Sequence, residues 1–328
     1  MDLSGRVAPP YNASSCNPEA PNPVLPRLAV LLQTLIAAGT FLVAKDATER
    51  FGSLPLIWLR IVLSALIMGA FFAVRFRSVP RLARADWLRL VLLGLLGVSV
   101  NQGLFLYGIH FTSPLHASLL YAFTPVLVLL GAVLWIGERL TWLRSVAVAC
   151  AAVGVFLVLS SRGLDLSRGP LRGDLFVLVA VVAWSSFTLL GKSIIRRLGT
   201  VTVITGAFAF GALSVVPLGP WMLGGFDPSA PGFRGWLELL YLGGITSGVA
   251  FTLWYWALKH IEPSQVAIFT NLQAPFTALF AWMIFGTIPG TGSILGGLLV
   301  LFGVSLAQLP ARRNSVPHRA AAPSTSGG

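Results

Sequence analysis

Ten long apolar runs alternate with short polar connections along the chain, at 27–44, 54–74, 87–107, 116–136, 142–160, 174–192, 200–222, 236–257, 264–285 and 291–309. Each is about as long as the ~20 residues a helix needs to cross a bilayer core. The connections carry turn residues, among them Gly52-Ser53, Ser113-Pro114, Gly169-Pro170, Asp227-Pro228 and Glu262-Pro263. In hydrocarbon every backbone amide must be satisfied within its own segment, and only helices or closed barrels do that. The runs are roughly twice the length of barrel strands and lack strict alternation, so helices are predicted. The expected fold class is an all-α membrane protein with ten transmembrane helices.

The pattern also repeats. Displaced by 149 positions, "YGIHFTSP" (107–114) falls on "WALKHIEP" (256–263). Trp87 then falls on Trp236, Gly94 on Gly243, Pro114 on Pro263, Gly137 on Gly286 and Gly154 on Gly303. Pro125 and Pro275 match with one residue of slip, and Lys45 and Lys192 at a displacement of 147. Each copy holds five spans, an odd number, so the second copy enters the membrane upside down. Inverted repeats of this kind build secondary transporters, with the solute site near the midplane between the halves. The expected units are 27–160 and 174–309, joined by a linker at 161–173 and flanked by disordered tails at 1–26 and 310–328.

Composition sharpens this. Only 10% of the 328 residues are charged, far below the quarter usual for soluble domains, and the mean hydropathy is +0.81. The formal net charge of +12 comes from loop arginines without an aromatic-interleaved basic face, so nucleic acid is not an expected partner. Sixteen of the 23 Lys and Arg residues fall on the side of the chain ends and six on the other, with Arg60 inside a span. By the positive-inside rule both termini are cytoplasmic, and the expected location is a bacterial inner membrane. Cys16 and Cys150 lie in a tail and in a span, which excludes a disulfide framework. Neither a cofactor motif nor metal-ligand spacing is present, so no cofactor and no metal are expected. GxxxG spacing at Gly244/Gly248 and Gly292/Gly296 permits close helix contact or a homodimer.

Several stretches together resemble the EamA branch of the drug/metabolite transporter superfamily. They are "AGTFLVAK" closing the first span, "PLIWLR" opening the second, "LLYAFTPVLVLLGAVLWIGERL" in the fourth and "GDLFVLVAVVAWSSFTLLGK" in the sixth. "LYLGGITSGVAFTLWYWAL" in the eighth and "NLQAPFTALFAWMIFG" in the ninth complete the set. The resemblance implies two five-helix repeats around a central cavity lined by spans 1, 3, 4, 6, 8 and 9, moving small metabolites. One departure stands out: Gly137-Glu138 ends span 4, but the equivalent place after span 9 reads Gly286-Thr287.

Polar residues inside apolar runs are the candidate site, because a lipid-facing amide forfeits hydrogen bonds worth several kcal/mol. Asn101 and Gln102 in span 3 are therefore expected to face the cavity or a neighbouring helix, and ~100° of rotation separates them. Asn271 and Gln273 offer the same chemistry in span 9, just before Pro275. Gln33 and Thr40 lie two turns apart on one face of span 1, Tyr121 and the helix-breaking Pro125 mark span 4, and Trp184 and Ser185 mark span 6. Arg60 either snorkels to the interface, pairs with Glu49 or Asp46, or acts in gating. Lys45, Glu138 and Lys192 are read as gating or anchoring charges. Every acidic residue sits in a tail, a loop or the first turn or so of a span, and His110, His116 and His260 fall at span ends, which disfavours a carboxylate-gated exchange cycle. The expected function is alternating-access transport of a small neutral, zwitterionic or amphipathic solute such as an amino acid. A nucleotide-sugar or lipid carrier of the same fold is the alternative, and a membrane-embedded lipid enzyme a more distant one.

Overall fold

A computed structural model describes residues 24–75, 82–136, 141–161, 169–258, 269, 271–286 and 288–307. The described residues form helices joined by short turns, with no strand among them. Eight helices are long and apolar enough to cross a membrane. They are α1 (Val24–Phe51), α2 (Ser53–Arg75), α3 (Arg84–Phe111), α4 (Pro114–Leu134), α5 (Trp142–Ser160), α6 (Gly169–Leu198), α7 (Thr200–Met222) and α8 (Gly232–Trp254). Two shorter apolar helices, α9 (Gln273–Phe285) and α10 (Thr291–Ala307), stand where the ninth and tenth spans were expected. The first part of the expected ninth span lies outside the described residues.

Helix ends follow local chemistry. α1 runs to Phe51 rather than stopping near residue 44, because Lys45–Glu49 and Asp46–Arg50 form i,i+4 ion pairs along its last turns. Gly52 (φ 74°), Gly199 (φ 79°) and Gly286 (φ 64°) follow α1, α6 and α9 in the left-handed conformation that lets a helix stop without Cβ strain. In α4 the regular ladder breaks at Phe123, immediately before Thr124-Pro125, and α9 starts after a turn at Asn271-Leu272 with Pro275 in its first turn. There the missing proline N–H costs nothing.

The packing obeys the repeat. Helix partners come in pairs related by exchange of the two halves: α3 with α6 and α8 with α1, α3 with α7 and α8 with α2, α4 with α6 and α9 with α1. α2–α7 and α5–α10 are each their own mates. Close approaches obey the same rule. A Cβ added to Gly154 would lie 2.7 Å from the Val300 amide and 2.8 Å from the Gly296 carbonyl. One added to Gly303 would lie 2.7 Å from both the Ala151 amide and the Ala147 carbonyl, the repeat mates of those atoms. A widened, π-helical stretch also occurs twice, at Leu95–Val100 in α3 and Tyr241–Ala250 in α8. Both GxxxG pairs are spent inside the chain: Gly296 packs on α5, Gly292 on Ser161, and Gly244 and Gly248 on Ile67 and Met68.

Large apolar side chains cover the outside, including Leu134 at 78% and Trp142 at 83% exposure. A surface this apolar is insoluble in water and is covered by lipid. The protein is a multi-pass membrane protein.

Candidate solute-binding cavity

Between the two halves lies a cavity of about 180 Å³, lined from α1, α2, α3, α4, α6, α8 and α9. An engineered ~150 Å³ cavity is large enough for benzene. Of the residues singled out in the sequence, Gln33, Thr40, Asn101, Gln102, Tyr121, Trp184 and Gln273 line it. Ser185 does not: it is turned into the helix packing and donates to the Val181 carbonyl at 2.8 Å. Asn271 sits half-buried in the turn ahead of α9, outside the lining. Glu138 lies outside the described residues, as does the Lys192 side chain.

Asn101 and Gln102 play different parts despite being neighbours. The Asn101 amide nitrogen donates to the Tyr121 hydroxyl and to the Ala180 carbonyl, both at 2.8 Å, so it ties α3 to α4 and α6. The Gln102 Oε1 is buried with no hydrogen-bond partner, and so is the Gln33 Oε1. Tyr121 closes an aromatic corner with Phe41 and Phe105, each pair edge-to-face at 5.6 Å. On the opposite wall Trp184 stacks on Phe187 at 5.3 Å and meets Phe251 edge-on at 5.6 Å. Thr40 and Thr246 join α1 to α8 through a 3.0 Å hydroxyl contact.

Arg60 departs from its expected places. It neither reaches an interface nor pairs with Glu49 or Asp46; it is 5% exposed and lines the cavity. Glu49 pairs instead with Lys45, and Asp46 with Arg50 and Arg234. Position along a helix does not reveal which way the side chain leaves it, and α2 turns Arg60 inward.

The lining includes Trp254 of α8 and Gln273 at the start of α9. Several contacts join the helices at the far end, where α1 ends and α8 begins. There Lys45 donates to the His110 carbonyl at 2.6 Å, joining α1 to α3. Arg234 contacts Asp46 at 2.5 Å and Glu238 at 2.9 Å, and Arg50 reaches Glu238 at 3.5 Å, joining α1 to α8. Phe51 adds stacked contact with Phe226 at 5.8 Å and edge contact with Trp236 at 5.5 Å. Lys45 thus ties α1 to α3.

One cluster went unseen in the sequence. His116, fully buried, has Nδ1 3.0 Å from Asp174 and Nε2 3.0 Å from the Ser293 hydroxyl, while Thr112 donates to the same Asp174. Ser161 adds a fourth helix at 3.4 Å from Nε2. A carboxylate is therefore buried within the helices after all, because α6 begins at Gly169 and places Asp174 more than a turn inside. The signal was a span drawn as starting at residue 174, which hid the depth of that aspartate. The cluster does not line the cavity.

A bundle of membrane helices in two exchange-related halves around a polar-and-aromatic cavity is the architecture of a solute transporter. Comparison with known proteins gives the particular family. The family described as EamA-like transporter matches residues 25–160 and 171–308, so the chain belongs to it. Among similar proteins, one from Archaeoglobus fulgidus named as an uncharacterized transporter is 27% identical over 85% of this chain and 96% of its own. A probable terminal-alkyne amino-acid exporter from Streptantibioticus cattleyicolor is 26% identical over 85% of this chain and 91% of its own. A crystal structure at 21% identity superposes with a TM-score of 0.60, covering 87% of this chain and 96% of that one, which supports the fold.

Proposed function

We propose that this transporter moves a small organic metabolite, an amino acid or a related solute, out across the bacterial inner membrane by alternating access. The observation that carries it is the cavity itself: the unpaired amide oxygens of Gln33 and Gln102 from one half converge with Thr246 and Gln273 of the other within aromatic walls, and ion pairs join α1 to α8 at the far end. Exchange of the closure from one end to the other follows from two halves built alike but inverted. The direction rests on the relative named as an exporter. The orientation, with the chain ends cytoplasmic, rests on the basic residues gathered at that end.

A cavity of about 180 Å³ disfavours the nucleotide-sugar alternative, whose ligand is several times larger than benzene. The lipid-enzyme reading finds no support in the relatives, which are named as transporters. His116, Asp174 and Ser293 are lined up like a hydrolase triad, but they are sealed between helices away from the cavity. Flux of labelled amino acids and related metabolites into proteoliposomes tests the proposal. Purified protein should raise flux of at least one above protein-free vesicles, and Gln102→Ala or Gln273→Ala should reduce it. Rates equal to empty vesicles across the panel would remove it.

A further inference from the structure

Burying a guanidinium inside a membrane protein is costly unless something answers its charge. Among the described residues no carboxylate does so for Arg60. Its Nε and Nη1 are buried without a hydrogen-bond partner, and the residues lining the cavity include no Asp or Glu. The carboxylates expected from the sequence are engaged elsewhere, Glu49 with Lys45 and Asp46 with Arg50 and Arg234. Beside it, within electrostatic reach, is Tyr121. The Tyr121 oxygen already accepts from Asn101, which leaves its hydroxyl proton free to donate.

From this arrangement we infer that Arg60 anchors the carboxylate of the transported solute, so that the substrate class is small carboxylates with an apolar body. The inference rests on the transport reading above and narrows it. A planar guanidinium suits a carboxylate because two parallel N–H groups meet two oxygens, and charge-assisted hydrogen bonds are the strong ones. The Tyr121 hydroxyl is placed to donate to the same group. The apolar part of the lining is Phe41, Phe105, Trp184, Phe251 and Trp254, which suit an aliphatic or aromatic body. The unpaired oxygens of Gln33 and Gln102 accept N–H groups, which an α-amino acid supplies. A purely neutral solute, admitted by the sequence, would leave the cation unanswered.

The test uses detergent-purified full-length protein and proteoliposomes, with carboxylic acids each set against its own amide: phenylalanine with phenylalaninamide, leucine with leucinamide, 3-phenylpropionate with 3-phenylpropionamide. Acids should raise the melting temperature and compete for flux, while the amides should be weaker by about 10- to 100-fold, as expected for one charged hydrogen-bonding partner. Arg60→Met should abolish the shift given by acids, and Arg60→Lys should keep part of it. The ligand-free melting temperature of Arg60→Met should equal or exceed that of the wild type, since an unpaired buried charge is gone. Amides that bind and move as well as their acids would overturn the anchor while leaving transport intact. Absence of flux for acids, amides and the wider metabolite panel would overturn transport and the anchor together. Arg60→Met protein that melts lower yet still responds fully to acids would make Arg60 a structural cation and end the inference.

Discussion

Neighbouring residues in this protein do unlike work because ~100° of helix rotation gives them different surroundings. Asn101 spends its amide nitrogen on two other helices, whereas Gln102 keeps an oxygen free toward the cavity. Asn101→Leu should therefore lower thermal stability by about 1 kcal/mol, the scale of an interhelical hydrogen bond in a membrane. Gln102→Leu should leave the melting temperature nearly unchanged and depress flux; parallel melting and flux curves check both. His116 is a more severe case. Replacing it with Ala strands Asp174 in the helix interior with Thr112 as its remaining partner and leaves Ser293 without its ring nitrogen. Breaking a buried pair from one side costs about 3–5 kcal/mol, so His116→Ala should melt markedly earlier or fail to accumulate. His116→Ala combined with Asp174→Leu should recover part of the loss, because the stranded charge is then absent too.

Helix against helix, the contacts are set by small residues. Gly154 and Gly303 meet backbone atoms of the facing helix so closely that α5 and α10 must separate to admit a methyl group. Gly154→Ala and Gly303→Ala should both destabilise, by about 1–3 kcal/mol, as overpacking does. The two effects should be of similar size, since their contacts are repeat mates. Gly69 provides the control: nothing lies within 4 Å of its added Cβ, so Gly69→Ala should be neutral or slightly stabilising through helix propensity alone. Melting temperatures of the three variants in one detergent decide the matter. A large loss at Gly69 or none at Gly154 would contradict the packing described.

Across the whole molecule the far-end ion pairs join α1 to α8, one helix from each half. Arg234 is exposed, so its ion pairs add little to overall stability. Their effect is expected on the balance between two states that differ by only a few kcal/mol. Arg234→Ala should open the far end more often. In a background without Cys16 and Cys150, Thr40→Cys in the cavity should then react faster with a membrane-impermeant thiol reagent applied from that side. Equal labelling with and without Arg234→Ala would show that the closure is held by other contacts, such as Phe51 with Phe226 and Trp236.

Much of the architecture was legible one-dimensionally. Hydropathy is a sum along the chain, so the runs of apolar residues announced the helices, and the displacement of 149 announced the glycines and π-helical stretches that recur at matching places in the two halves. The same amides that marked span 3 and Gln33, Tyr121, Trp184 and Gln273 proved to converge on the cavity. Tertiary structure alone decided where each polar group points and what it meets. It turned Arg60 away from the interface and into the cavity, used up the nitrogen of Asn101, sent Ser185 into its own helix, and brought His116, Asp174 and Ser293 together across 177 residues of chain. The physical reason is that the period of an α-helix fixes which residues share a face. Which face becomes interior, and which partner waits there, is set by the helices that pack against it.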